Sequence, residues 1–146
     1  MRLLYPVEIH EHGGPPQEAG FAVTFPDLPD AASWGDTRAE ALINASDCLE
    51  EALAARILAR EAIPAPSSAR GRPMVAPGSL IGAKAALYAA WRESGLNMSG
   101  LARQIGIQPS AAARLLDPAH ASKPAQLDAA LAALGKRLVL AVEPAA

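Results

Sequence analysis

Three groups of side chains in this 146-residue sequence carry the types and spacing that chemistry or recognition would need. The first is acidic: Glu8, Asp27, Asp36, Asp47 and Glu50. Metal-assisted hydrolysis of a phosphodiester requires several carboxylates converging on two ions. Asp36 sits beside Glu40 at a helix start, and Asp47 and Glu50 fit a solvated helix face. No convergent set is legible, and a nuclease is the remotest reading. The second group is His10, His12 and Cys48. Two histidines two apart at a strand end read as polar loop residues, so no metal site is expected. No glycine-rich phosphate loop and no nucleophile motif is present, so neither a cofactor nor an enzyme is expected.

The third group lies in residues 101–116, Leu-Ala-Arg-Gln-Ile-Gly-Ile-Gln-Pro-Ser-Ala-Ala-Ala-Arg-Leu-Leu. Small Ala102 permits two helices to approach, and Gly106 permits a tight turn. Leu101, Ile105, Ile107, Ala112 and Leu115 are spaced to bury the seam. This is the pattern of a helix-turn-helix, whose second helix enters the major groove of DNA. Gln108, Ser110, Ala111 and Arg114 then point outward. Glutamine pairs with adenine, arginine with guanine, and an alanine methyl meets thymine. Arg103, Gln104 and Lys123 fall nearer the phosphates. For Arg114 the plainer alternative is a pair with Asp117, three residues on.

The elements that must carry these groups follow from periodicity. Leu3, Tyr5, Val7 and Ile9 alternate with polar residues and predict a strand, with Pro6 at an edge or bulge. Residues 12–16 form a loop, and Phe21, Val23 and Phe25 predict a second strand. Residues 26–30 break it, and residues 32–35 form a short third strand. Thr37 and Glu40 make a capping box, and the three-to-four spacing from Leu42 to Ile57 predicts an amphipathic helix over about 37–60. Residues 63–79 are rich in proline and glycine and read as a linker, with Met74-Val75-Ala76 as a candidate fourth strand. Helices are expected over 83–93 with Leu87, Ala90 and Trp91 inward, from Asn97 as a cap, from Pro109 to about 116, and over 126–134. Residues 138–142 read as a terminal strand; with no local partner, Leu138, Val139, Leu140 and Val142 would pair with a second copy. Docking onto the first domain is the other reading. Trp34 serves either the core or a partner.

Charge divides the chain. Residues 1–65 hold four basic and eleven acidic side chains, a formal charge of −7, while residues 66–146 hold nine and four, or +5. A basic half suits phosphates and an acidic half suits a basic protein. Only 4% of residues are aromatic, and alanine supplies much of the apolar content, which favours helices. The single Cys48 fits a reducing cytoplasm. No run of apolar residues is long enough to span a bilayer, and the N-terminus does not read as a signal peptide.

Phe25-Pro26-Asp27-Leu28-Pro29, then Gly35-Asp36-Thr37, then Glu40-Ala41-Leu42 resemble the signature of HicB antitoxins. The downstream run from Lys84 through Leu101-Ala102-Arg103, Arg114-Leu115-Leu116-Asp117 and Lys123 to Leu134-Gly135-Lys136-Arg137-Leu138 resembles the helix-turn-helix branch of that family. Asp30 stands where the family usually has glycine. The resemblance implies an α+β chain: a partial RNase H-like domain of three to four strands and one helix over 1–78, linker included, and a helix-turn-helix domain with a C-terminal strand over 79–146. It implies that the first domain blocks a HicA-like RNA-cleaving toxin, with Asp27, Leu28, Pro29 and Trp34 the expected contacts. It further implies a homodimer, or a dimer of dimers, that represses its own operon by binding operator DNA. The competing class is a transcription regulator with no toxin partner.

Overall fold

A computed structural model describes residues 1–145. Among them, the elements run β1 (Tyr5–Pro6), β2 (Glu8–His12), β3 (Gly20–Phe25), β4 (Leu28–Gly35), α1 (Arg38–Ala59), β5 (Met74–Val75), α2 (Ser79–Ser94), α3 (Met98–Ile105), α4 (Pro109–Leu116) and α5 (Pro124–Ala133). The chain is α+β. It divides into two compact units: Met1–Ala52 with Pro64–Gly78 and residues 144–145, and Leu53–Ile63 with Ser79–Glu143. Helix α1 contributes its first turns to one unit and its last turns to the other.

In the first unit, β2, β3 and β4 form an antiparallel sheet in that order, and β1 pairs antiparallel with β5. The expected single first strand is broken at Pro6. Proline has no N–H for a ladder, so the two-residue β1 pairs only as Tyr5 with Val75 and Pro6 with Met74 before the chain passes into β2. The expected break after Phe25 is in fact a hairpin. Phe25 faces Leu28 across Pro26 and Asp27, with a register shift between Thr24 and Phe25, and β4 runs through Pro29 to Gly35. Pro29 is tolerated because β4 is an edge strand.

Helix α1 starts where its cap demands. Glu40 N donates to Thr37 Oγ1 at 3.1 Å, and Glu40 Oε2 accepts from Asp36 N at 3.2 Å. Ala41, Leu42, Ala45 and Leu49 are buried with Val7, Val23, Phe25 and Leu28 in the first unit's core. Gly35 is needed where the sheet meets the helix: a Cβ there would collide with the backbone of Ala41.

Residues 63–79 are not a free linker. Prolines lack donors but keep their carbonyls, and side chains of the first unit reach the segment's backbone. Tyr5 donates its hydroxyl to Pro64 O at 2.7 Å, and Ser46 Oγ donates to Ala76 O at 2.7 Å. Gly78 N donates to Glu50 Oε1 at 2.6 Å, and Ser67 N and Oγ donate to Asp27 Oδ2 at 2.9 and 3.1 Å.

In the second unit, Leu53 and Ile57 of α1 are buried, as are Leu87, Tyr88, Leu101, Ala102, Ala112, Leu115, Leu116, Leu127, Ala130 and Leu131. Tyr88 donates to Glu61 O and Arg92 Nη1 to Arg60 O, both at 2.7 Å. Helix α2 begins at Ser79, earlier than its spacing suggested, directly after Pro77 and Gly78. Trp91, expected in the core, is half-buried at the edge, with the Arg60 guanidinium 5.2 Å from its ring centre. Residues 138–142 form no strand within the chain. A strand needs a ladder partner for its N–H and C=O groups, and none of the described residues supplies one.

Gly35→Ala should destabilise the protein by about 1–3 kcal/mol, the cost of overpacking a filled contact. Urea denaturation followed by circular dichroism reads this, and a midpoint equal to the parent's would show that the sheet and α1 separate easily.

Candidate functional site

Helices α3 and α4 meet as the spacing of residues 101–116 required. Asn97 caps α3, its Oδ1 accepting from Gly100 N at 2.8 Å. Gly106 ends α3 in the left-handed region at φ +84°, which a side chain would strain. Gly106 N and Ile107 N both donate to Ala102 O, at 2.8 and 3.0 Å, and close the turn. Pro109 then opens α4 at its first position. Leu101, Ala102, Ala112 and Leu115 are buried in the seam, while Ile105 and Ile107 are half-buried.

The outward set is exposed as expected. Arg103 and Gln104 stand on the last turn of α3, Gln108 immediately precedes α4, Ser110 and Arg114 stand on α4, and Ala111 is half-exposed. Lys123 is exposed in the residue that precedes α5, where Gln126 Oε1 accepts from its backbone N at 3.4 Å. Among the described residues no ion pair joins Arg114 to Asp117. Asp117 Oδ1 accepts instead from Ala119 N at 2.9 Å. The Arg114 guanidinium is therefore not held by the partner its spacing offered.

The residues expected to meet a protein partner divide into two kinds. Leu28 is fully buried and its side chain is core, because the hairpin turns it inward opposite Phe25. Asp27 is half-buried and holds the loop by accepting from Ser67. Pro29 is exposed, and Trp34 is 42% exposed rather than core. The register His10–Ala22–Trp34 and Glu8–Thr24–Ala32 places Trp34 on the outer face of the sheet. There its ring lies 5.4 Å from that of His12 and covers Gly20, where no Cβ would fit.

No three His, Cys, Asp or Glu side chains among the described residues group where a metal ion could be held. Burial pushes the Cys48 thiol above its ordinary pKa, and the thiol donates to Ala32 O at 3.3 Å. A protonated thiol is a poor nucleophile.

The buried role of one polar residue of this unit, named in the sequence only as the start of the family-like run, escaped the sequence reading. Lys84 is fully buried in α2, and its Nζ donates to Arg114 O at 3.0 Å, Leu115 O at 3.1 Å and Ser122 Oγ at 2.9 Å. Burial lowers its pKa, while the Asp117 carboxylate acts the other way. The signal was available: Lys84 precedes Leu87 by three and Tyr88 by four, a lysine on the apolar face of its helix.

Residues 5–78 match the family model described as the HicB-like antitoxin of bacterial toxin–antitoxin systems. Similarity extends over nearly the whole chain. Antitoxin HicB 2 of Photorhabdus laumondii is 38% identical over 138 residues, 94% of this chain and 95% of the relative. Antitoxin HicB of Pseudomonas fluorescens is 33% identical over 97% of this chain and 94% of its own length, and that of Escherichia coli K12 is 34% identical over 94% and 98%. The chain belongs to the HicB-like antitoxin family.

Asn97→Ala removes the cap of α3 and should cost about 1 kcal/mol of stability. Thermal unfolding measures it, and an unchanged midpoint would mean that α3 is held by packing alone.

Proposed function

We propose that this chain is an antitoxin that neutralises a HicA-like, RNA-cleaving toxin and represses its own operon. The observation that carries the DNA half is the α3–α4 pair closed over a buried seam with Gln108, Ser110 and Arg114 exposed. Such a pair offers its second helix to a major groove. The net charge of +5 over residues 66–146 supplies attraction to phosphates. The toxin half is supported by family membership and by the charge of −7 over residues 1–65. A protein that grips RNA is basic, and opposite fields speed encounter. Residues 1–78 are the proposed toxin-binding region, partial RNase H-like in kind, and residues 79–146 the DNA-binding region. Pro29 and Trp34 of β4 are the exposed contacts proposed for the toxin, and Asp27 holds the hairpin turn that precedes that strand. The exposed apolar residues Val139, Leu140 and Val142, with Leu138 half-buried, support a dimer in which this segment pairs with a second copy. Two copies suit two half-sites. The antitoxin acts by covering the toxin's site and performs no reaction.

Arg114→Ala should weaken operator binding by about 1–3 kcal/mol and relax one base position, whereas Lys123→Ala should weaken all DNA alike and lower the salt slope by about 1. Electrophoretic mobility shifts over a salt series measure both. Parent-like binding by both variants would sink the helix-turn-helix reading.

Co-expression with the small basic protein of the neighbouring reading frame should yield a stable complex and restore growth. Its association rate should fall as salt rises. If the full chain neither binds nor neutralises that neighbour while it still binds operator DNA, the protein is a regulator without a toxin.

A further inference from the structure

We infer, on the reading of α4 as the recognition helix, that Lys84 is a positioning residue for DNA binding. Its buried ammonium holds the C-terminal end of α4 and the loop before α5 in the arrangement that presents Gln108, Arg114 and Lys123 together.

An ammonium has three donors and no acceptor. Lys84 places all three: on Arg114 O, on Leu115 O and on Ser122 Oγ. The last carbonyls of a helix have no partner within it and carry the negative end of its dipole. One side chain of α2 therefore satisfies the end of α4 chemically and electrostatically. It does so through the backbone of Arg114 itself, whose side chain faces outward.

The same ammonium ties down the following loop. Ser122 accepts from Lys84 and lies 3.1 Å from His120 Nδ1, and Lys123 is the next residue. Arg114 O also accepts from Asp117 N at 3.2 Å, but the bonds to Leu115 O and Ser122 Oγ are buried, and removing Lys84 takes away their donor. A buried lysine beside a serine is also the arrangement of a base and a nucleophile. Here Ser122 Oγ accepts from Lys84 and its own hydroxyl donates to Arg114 O at 3.4 Å, so its proton is not directed at the lysine.

Eight residues make α4 too short to hold its own shape. A side chain that touches no phosphate can therefore decide how well the helix reads bases. The two kinds of DNA binding separate this role from simple stability. Loss of positioning removes base contacts that require alignment, while attraction to phosphates survives.

The test uses the full chain, the duplex upstream of its own reading frame and a scrambled duplex of equal length. Lys84→Met and Ser122→Ala are compared with the parent and with Arg114→Ala, at a temperature where circular dichroism shows the parent's helix content. Lys84→Met should lose at least about fivefold in affinity for the upstream duplex, the lower end of what one good base contact is worth. Its affinity for the scrambled duplex and its salt slope should not change. Ser122→Ala should lose less, in the same direction, and decides the matter alone if Lys84→Met does not fold. Equal losses on both duplexes, or a preference like the parent's in the Lys84 and Ser122 variants while Arg114→Ala loses it, overturn the positioning role only. A parent that does not prefer the upstream duplex overturns the recognition-helix reading and the positioning role with it.

Discussion

The buried ammonium of Lys84 is the interaction on which the helical unit is arranged. A lone charge in an apolar interior costs several kcal/mol, of the order of 5, unless it is paired or hydrogen-bonded. Here three acceptors meet three donors. The constraint works in both directions. Lys84 can be buried only if the end of α4 and Ser122 come to it, and α4 can end in the interior only if something supplies donors to its carbonyls. Lys84 thereby joins α2 to the end of α4 and to the loop before α5.

A similar exchange holds the first unit. Its proline-rich return segment has few donors, so it cannot extend the sheet for more than the two residues of β5. It is bound through its own carbonyls and amides by Tyr5, Ser46, Glu50 and Asp27. Asp27 thus joins the hairpin tip to a segment forty residues away, and the Pro-Asp-Leu-Pro signature acquires a physical meaning. Proline shapes the turn, Asp27 anchors the return segment, Leu28 enters the core and Pro29 occupies an edge strand. The glycine of the Gly-Asp-Thr motif is there because the backbone of α1 leaves no room for a methyl group.

The outer face of the sheet and the outer face of α4 differ in what they offer. Trp34 and His12 make an aromatic pair over Gly20 amid small residues. Such a surface suits a protein partner, because a rigid aromatic buries much area at little entropic cost. The face of α4 carries glutamine, serine, alanine and arginine, each able to meet a base edge. Membership in the HicB-like antitoxin family places both surfaces in a protein whose relatives are named as antitoxins.

Local chemistry was legible without tertiary structure wherever a residue acts on its near neighbours. The Thr37–Glu40 cap, Asn97, Gly106 and Pro109 set the starts and the turn of α1, α3 and α4 from hydrogen bonds within four residues. The three-to-four spacing from Leu101 to Leu115 sufficed to place Gln108, Ser110 and Arg114 outside. What depended on distant partners was not legible. The proline-rich stretch read as a linker because its anchors, Tyr5 and Asp27, lie forty or more residues away in sequence. Trp34 was ambiguous because strand alternation assigns a face but not what covers it. Residues 138–142 have the composition of a strand, but a ladder needs a second chain segment, and none of the described residues provides one. Lys84 read only as a basic residue of a basic half and as the start of a family-like run. Only the tertiary structure, which brings two helix-terminal carbonyls and a serine to its nitrogen, decided that its charge stays inside.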